Sequence, residues 1–407
     1  MTLNPQPHWP TKLSEGGSTL NPKPARIESI DLLRGIVIVI MAIDHVRGYF
    51  HADKFLFEAT DLTKTNAAIF FTRWITHFCA PAFVFLAGTS AAIMSQRKST
   101  AELSKFLFTR GLWLVFLELT AINLIWFFNP TFSFFALGVI WALGISMIVL
   151  SILIRLPLKI ILAIGLIILF GHNLLDSITV DGNSPKAFAW AVLHVSKRFE
   201  FGYPNVNAQY PVLPWIGIMA LGYATGSLYK REVLPEVRKK YLLTIGLSAI
   251  ALFIIIRAIN VYGDLSRWSV QDSPAFTIMS FLNTTKYPPS LLYSLMTLGP
   301  ALVFLALVEK PLGKWAQPLL HFGRVPMFFY ILHLFLIHSL ATIAMIITGR
   351  DWHDTIIRNG FKYFQPQFSL GVVYLVWIIV LLMLYPLCKW YDRYKTNNKD
   401  KWWLSYL

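Results

Sequence analysis

Residues 29–50 read SIDLLRGIVIVIMAIDHVRGYF, an apolar run long enough to cross a bilayer that also carries Asp31, Arg34, Asp44, His45 and Arg47. Ionisable side chains are costly in hydrocarbon, and inside a span they mark function by default. Arg34 and His45 are eleven residues apart. At 100° per residue that is three turns plus about 20°, so both share one helix face, roughly 16 Å apart along the axis. One stripe thus offers a fixed cation at one end and an imidazole at the other. The remaining apolar runs read as walls around it.

The 407-residue chain is 56% hydrophobic and only 14% charged, with a mean hydropathy of +0.55. Soluble domains are near one quarter charged, so this composition specifies an integral membrane protein. Runs of about 20 apolar residues between polar breaks fall at 28–50, 67–94, 104–126, 132–154, 157–175, 210–229, 240–260, 288–309, 324–348 and 369–391. The expected fold is an all-α polytopic protein with ten transmembrane helices, or eleven if a short interfacial or re-entrant piece at 186–198 or 273–285 also crosses. Residues 1–26 lack the apolar core of a signal peptide and read as a disordered cytoplasmic tail. Residues 27–395 then form a single domain whose first span is a retained signal anchor, and 396–407 form a second cytoplasmic tail.

The net charge of +15 is sorted by loop. With a cytoplasmic N-terminus, 22 of the 36 Lys and Arg residues fall on the inside segments and 13 on the outside ones. That asymmetry is the positive-inside signature, and it accounts for the basic excess without nucleic acid. Both termini are cytoplasmic in this reading. The outside loops carry acids, amides and aromatics: Asp53, Glu58, Asp61 and Asn66, then the stretch 200–215, EFGYPNVNAQYPVLPW, then Asp264, Trp268 and Asn283. Amides and carboxylates bond hydroxyls and aromatic faces cover apolar sugar faces, so these loops suit a sugar or glycan acceptor.

His45 has the pKa range of a general base, with Asp44 beside it to orient or charge it. Arg34 suits a phosphate of a nucleotide donor, with Asp31 three residues earlier as its pair and Arg324 at the start of the ninth run as a second donor contact. Arg73 and His77 share a face of the second run at the level of His45; His77 is a second acid/base candidate, and Arg47 and Arg73 suit acceptor binding. Glu118 and Asn123 lie in the outer half of the third run, Glu118 as a partner for Arg73 or Arg47. On the ninth run His333 and His338 are five apart and face different sides; His338, nearer the outer end, is the one placed level with His45. There is no metal-ligand cluster of zinc spacing, no P-loop and no G-x-S-x-G elbow. Cys79 and Cys388 lie within apolar runs and form no disulfide framework. No internal repeat of the kind common in secondary transporters is visible.

The block 29–50 followed by 72–91, TRWITHFCAPAFVFLAGTSA, resembles the bacterial relatives of heparan-α-glucosaminide N-acetyltransferase, a transmembrane acyltransferase family. The S-[IV]-D-x-x-R-G opening and the P-x-F-V-F-x-x-G-[TS]-S element carry the resemblance, which covers roughly the first quarter of the chain. The Arg34-x₁₀-His45 spacing is similar to that of the membrane acyltransferase-3 families. Both resemblances imply transfer of an acyl group from acetyl-CoA or a related donor on the cytoplasmic side to an N- or O-acceptor on the far side of the bacterial inner (cytoplasmic) membrane. They differ on the histidine: the heparan pattern points to His51, the acyltransferase-3 pattern to His45, which the span geometry favours. A polytopic transporter or flippase of a small polar solute, its charges lining a pathway, is the alternative; a mere membrane anchor has no need of such charges. A homodimer is compatible with the sequence.

Overall fold

The computed structural model describes residues 27–52, 56–309, 312–357 and 368–405. The expected tail at 1–26 and Asp53 lie outside them, as do the last two residues of the expected tail at 396–407. The fold is helical: α1 Glu28–Phe50, α2 Ala67–Trp74, α3 Cys79–Met94, α4 Thr100–Leu117, α5 Asn123–Phe127, α6 Val139–Leu153, α7 Leu158–Gly171, α8 Pro185–Leu193, α9 Val212–Thr225, α10 Pro235–Ile259, α11 Pro274–Leu282, α12 Leu291–Leu307, α13 Gln317–Arg324, α14 Pro326–Ile347 and α15 Leu370–Asn397. Each of the ten apolar runs contains a helix.

Among the described residues, seven stretches are long and apolar enough to cross a membrane: Ala67–Met94, Thr100–Phe127, Leu158–Leu175, Val212–Tyr229, Pro235–Ile259, Pro326–Ile347 and Leu370–Asn397. The helices α6 and α12 are apolar but shorter, and α1 has the length but carries the five ionisable residues named above. The pieces at 186–198 and 273–285 contain the nine-residue helices α8 and α11. At 1.5 Å per residue these reach about 14 Å, half of a hydrocarbon core.

Local chemistry sets the boundaries. The third run begins at Thr100, earlier than its apolar start, because Ser99 and Glu102 cap each other's backbone N–H groups. The helix of the fourth run, α6, begins late, at Val139, because Phe134–Ala136 is a strand, β1. It pairs in parallel with β3, Asn205–Ala208, which pairs antiparallel with β2, Lys197–Phe199, giving the order β1-β3-β2 with Phe135 opposite Val206 and Arg198 opposite Asn207. This small sheet is the one departure from an all-α fold among the described residues. Two long runs are interrupted, the second by a 3₁₀ turn at Ile75–Phe78 and the third by a π turn at Glu118–Ile122.

The first helix is the axis of the packing and touches α3, α12, α13, α14 and α15. Leu32, Ile38, Ala42 and Val46 are fully buried, so α1 has no lipid face at those positions. Its closest neighbour is α13. A Cβ on Gly35 would stand 1.9 Å from the Leu319 carbonyl oxygen, and one on Gly323 would stand 1.8 Å from that of Asp31. The two backbones therefore touch, as small residues permit between membrane helices. Lipid-type surface lies on the outer helices instead, where Ile167, Ile254 and Leu382 are exposed.

The segment between α10 and α12 is built from polar contacts. Arg257, 1% exposed, donates to the carbonyls of Ser266 at 2.6 Å, Asn283 at 2.8 Å, Phe281 at 2.9 Å and Ser280 at 3.0 Å. Asp264 accepts from the Thr285 hydroxyl at 2.7 Å, the Thr285 N–H at 2.9 Å and the Ser290 hydroxyl at 2.5 Å. The intervening Lys286 and Tyr287 are thereby held in place.

Gly323→Leu is expected to force α13 off α1 and lower the melting temperature of the purified protein, at a cost of about 1–3 kcal/mol for overpacking. Gly171→Ala, whose Cβ would meet nothing within 4 Å, is expected to leave the melting temperature unchanged. Equal melting temperatures for the two variants would refute the close crossing.

Candidate functional site

A cavity of about 910 Å³ runs along α1. At the early end of the helix its wall carries Arg34, Arg110, Arg324 and Lys395. Along its length α3 contributes Ala80, Ala87 and Ala91, small side chains that leave a slot beside α1. At the late end the wall carries Asp44, His45, Arg47 and Arg73, then Glu58, Asn207, Gln209, Tyr210, Lys286 and Tyr287. The strand β3 and the braced segment before α12 supply the last five or their immediate neighbours.

His45 stands on this wall with its Nδ1 2.7 Å from Nε2 of His333. The two rings stack with centroids 4.9 Å apart, and Trp126 meets His45 edge-on at 5.0 Å. His45 Nε2 has no protein hydrogen bond among the described residues. The partner of His45 is thus not Asp44, as the sequence suggested. Asp44 is held between two guanidiniums, Arg47 at 2.9 Å through Oδ1 and Arg73 through Oδ2, because a carboxylate removed from water needs full compensation. Nor is the histidine of α14 that meets His45 the expected one. His338 is fully buried away from the cavity, with Nδ1 2.9 Å from the Ile125 carbonyl and Nε2 3.1 Å from that of Thr355.

Glu118 lies on the wall but pairs with neither Arg73 nor Arg47. Its carboxylate accepts from the backbone N–H of Gly138 at 3.2 Å and Trp141 at 3.3 Å, the unsatisfied donors at the start of α6. Asn123 is off the wall and is spent on β1, with its Oδ1 2.8 Å from the Ala136 N–H and its Nδ2 3.1 Å from the Ala136 carbonyl. His77 is also off the wall, 3% exposed, against Tyr293, with Nδ1 unpartnered. His51 is buried beyond the end of α1, its backbone bridged to Phe368.

At the early end Arg34 donates to the Leu86 carbonyl at 3.1 Å and to the Ser90 hydroxyl, and lies 3.4 Å from Asp31. Asp31 is 3% exposed, behind the wall, and also lies 3.8 Å from Arg324. Arg324 in turn reaches Asp392 and Glu28, each at 3.5 Å. Lys286 and Tyr287 were not singled out in the sequence; their loop was, for its other residues. Burial pushes the Tyr287 phenol up, but Lys286 and Arg73 outweigh it and bring it down to about 8. Among the described residues no group of metal-ligating side chains is assembled.

Residues 26–284 match the family described as heparan-α-glucosaminide N-acetyltransferase, catalytic. The chain belongs to that family. It is a transmembrane acetyltransferase, and the match runs well past the first quarter in which the sequence motifs lie. No individual curated protein matches the chain. In this acetyltransferase the matched segment holds α1 through α11, and so Arg34, Asp44, His45, Arg73 and Glu118. Lys286, Arg324, His333 and Lys395, which complete the wall or back it, lie beyond the matched residues.

If Asp44 is the clamp between Arg47 and Arg73, Asp44→Asn strands two buried cations and is expected to destabilise the protein by about 3–5 kcal/mol. His45→Ala is expected to leave thermal unfolding of the detergent-solubilised protein near wild type. The opposite ranking would assign the structural burden to His45.

Proposed function

We propose that this acetyltransferase moves an acetyl group from acetyl-CoA, bound from the cytoplasm, to an amine or hydroxyl of a sugar-like acceptor on the outer side of a bacterial inner membrane. In this reading α1, α6 and α12 cross the bilayer together with the seven longer stretches, and both termini are cytoplasmic. The observation that carries the proposal is the single cavity shared by Arg34 and His45, which stand roughly 16 Å apart along α1 by helix geometry. Arg34, Arg324, Arg110 and Lys395 supply the cationic surface for the phosphates of the donor. The slot beside Ala80, Ala87 and Ala91 takes the extended pantetheine arm and brings the thioester to His45.

The acceptor sits at the other end, among Glu58, Asn207, Gln209, Tyr210 and Tyr287, whose polar groups bond hydroxyls and whose rings cover apolar sugar faces. His45 Nε2 takes the proton as the acceptor oxygen or nitrogen attacks the thioester carbonyl. The new C–O or C–N bond forms, the C–S bond breaks, and the sulfur leaves with its electron pair. The proton then passes from His45 to the thiolate. The outer position of His45 and the inner position of the arginines divide the work across the bilayer, so the sugar need not cross it. A transporter reading would require unmodified solute to pass through the same cavity, and family membership favours transfer.

Purified protein in liposomes, given radiolabelled acetyl-CoA and glucosamine, is expected to form acetylated glucosamine. His45→Ala is expected to lower kcat by about 10²–10⁴, the usual worth of a general base. Arg34→Ala is expected to raise KM for acetyl-CoA by at least about tenfold, the loss of one charge-assisted contact of roughly 1.5–3 kcal/mol. Uptake of unmodified sugar without label transfer would overturn the proposal.

A further inference from the structure

His333 is fully buried on α14 and does not touch the cavity, yet its bonds decide the state of the ring that does. Its Nδ1 lies 2.9 Å from the carbonyl oxygen of Phe329. A carbonyl only accepts, so His333 Nδ1 carries a proton, and in the neutral ring Nε2 is left as an acceptor. That Nε2 is 2.7 Å from His45 Nδ1. Two ring nitrogens share a hydrogen bond only if one of them bears the proton, so His45 Nδ1–H is the donor. The second nitrogen of His45, Nε2, then holds its lone pair, and it has no protein partner among the described residues.

We infer that His333 is a positioning residue that locks His45 in its Nδ1–H tautomer, so that the lone pair at Nε2 is presented to the reacting groups. The inference rests on the reading of His45 as the general base. A second-layer partner that fixes the tautomer of a working histidine is more often a carboxylate or a carbonyl. Here the carbonyl is Phe329's, and it acts through an intervening imidazole. The neighbouring carboxylate cannot take that place, because Asp44 is held by Arg47 and Arg73. Stacking of His333 on Phe329, with centroids 4.9 Å apart, fixes its ring plane.

The choice of a neutral partner has a chemical consequence. A carboxylate would stabilise the imidazolium and make it slow to release its proton. An imidazole acceptor supports the Nδ1–H bond in both states of His45 while adding no charge, so the proton gained at Nε2 remains available to the leaving sulfur. A proton placed on His333 Nε2 instead would reverse the bond, force His45 into the Nε2–H form and remove the base.

The test uses the full-length protein in liposomes. His333→Phe keeps the ring volume and the stack on Phe329 but deletes the acceptor; His333→Gln keeps a side-chain acceptor. The first is expected to lower kcat for acetyl transfer to glucosamine by about 10–100-fold, the usual cost of losing such a partner, with KM for acetyl-CoA unchanged. His333→Gln is expected to recover most of the rate. Carbethoxylation of His45 by diethyl pyrocarbonate, followed by mass spectrometry, reads the exposed lone pair without any acceptor. It is expected to slow in the phenylalanine variant and to return in the glutamine one. If the phenylalanine variant does not fold, His333→Asn, whose shorter amide falls short of His45, replaces it. Wild-type turnover and wild-type labelling in the variant lacking the acceptor would overturn the inference, and so would a glutamine variant as impaired as that one. Retained transfer in His45→Ala would instead sink the reading of His45 itself, which separates the two failures.

Discussion

Charge inside a membrane helix must be answered by other groups, and the packing of this protein follows from how the charges of α1 are answered. Asp44 draws Arg47 from its own helix and Arg73 from α2. Asp31 draws Arg34 and Arg324, which ties the start of α1 to the end of α13. The contacts to Arg73 and Arg324 fix two neighbouring helices against α1, and both arginines line the cavity. Arg257 applies the same rule at the end of α10 with carbonyls in place of carboxylates. An isolated ion of any of these kinds would be prohibitively costly in hydrocarbon; pairing turns the cost into a constraint on geometry.

A helix in each apolar run, and one cavity lined by both Arg34 and His45, were legible because both depend on a helix's own period. Partners were not, because a partner is decided by crossing angles and relative depth. The ninth run shows the difference. Five-residue spacing correctly puts His333 and His338 on different faces, but which one lies level with His45 depends on the tilt of α14 against α1, and that choice went to the wrong residue. Glu118 was read as a partner for an arginine because charge is visible in sequence. The bare N–H groups at the start of α6 that actually bind it are a property of backbone and leave no mark in composition. His77 and Asn123 stand off the cavity wall for a related reason: a polar residue in a span can equally be the glue between two elements.

The catalytic family match ends at residue 284, before α12, whereas the cavity does not. Its cationic end needs Arg324 and Lys395, and His45 needs α14 behind it. The later helices therefore act as the second half of the enclosure around the matched portion.

The crossing of α1 over α13 has a mechanical corollary. Gly35 and Gly323 bring two main chains into direct touch, so that side of the tunnel has no rotamer to swing and no methyl group to yield. Elsewhere the wall is built from long side chains, Arg110 on α4 and Lys395 on α15. On the glycine flank the width is set by main chain, so it is fixed by the crossing of two helices and by no single side chain.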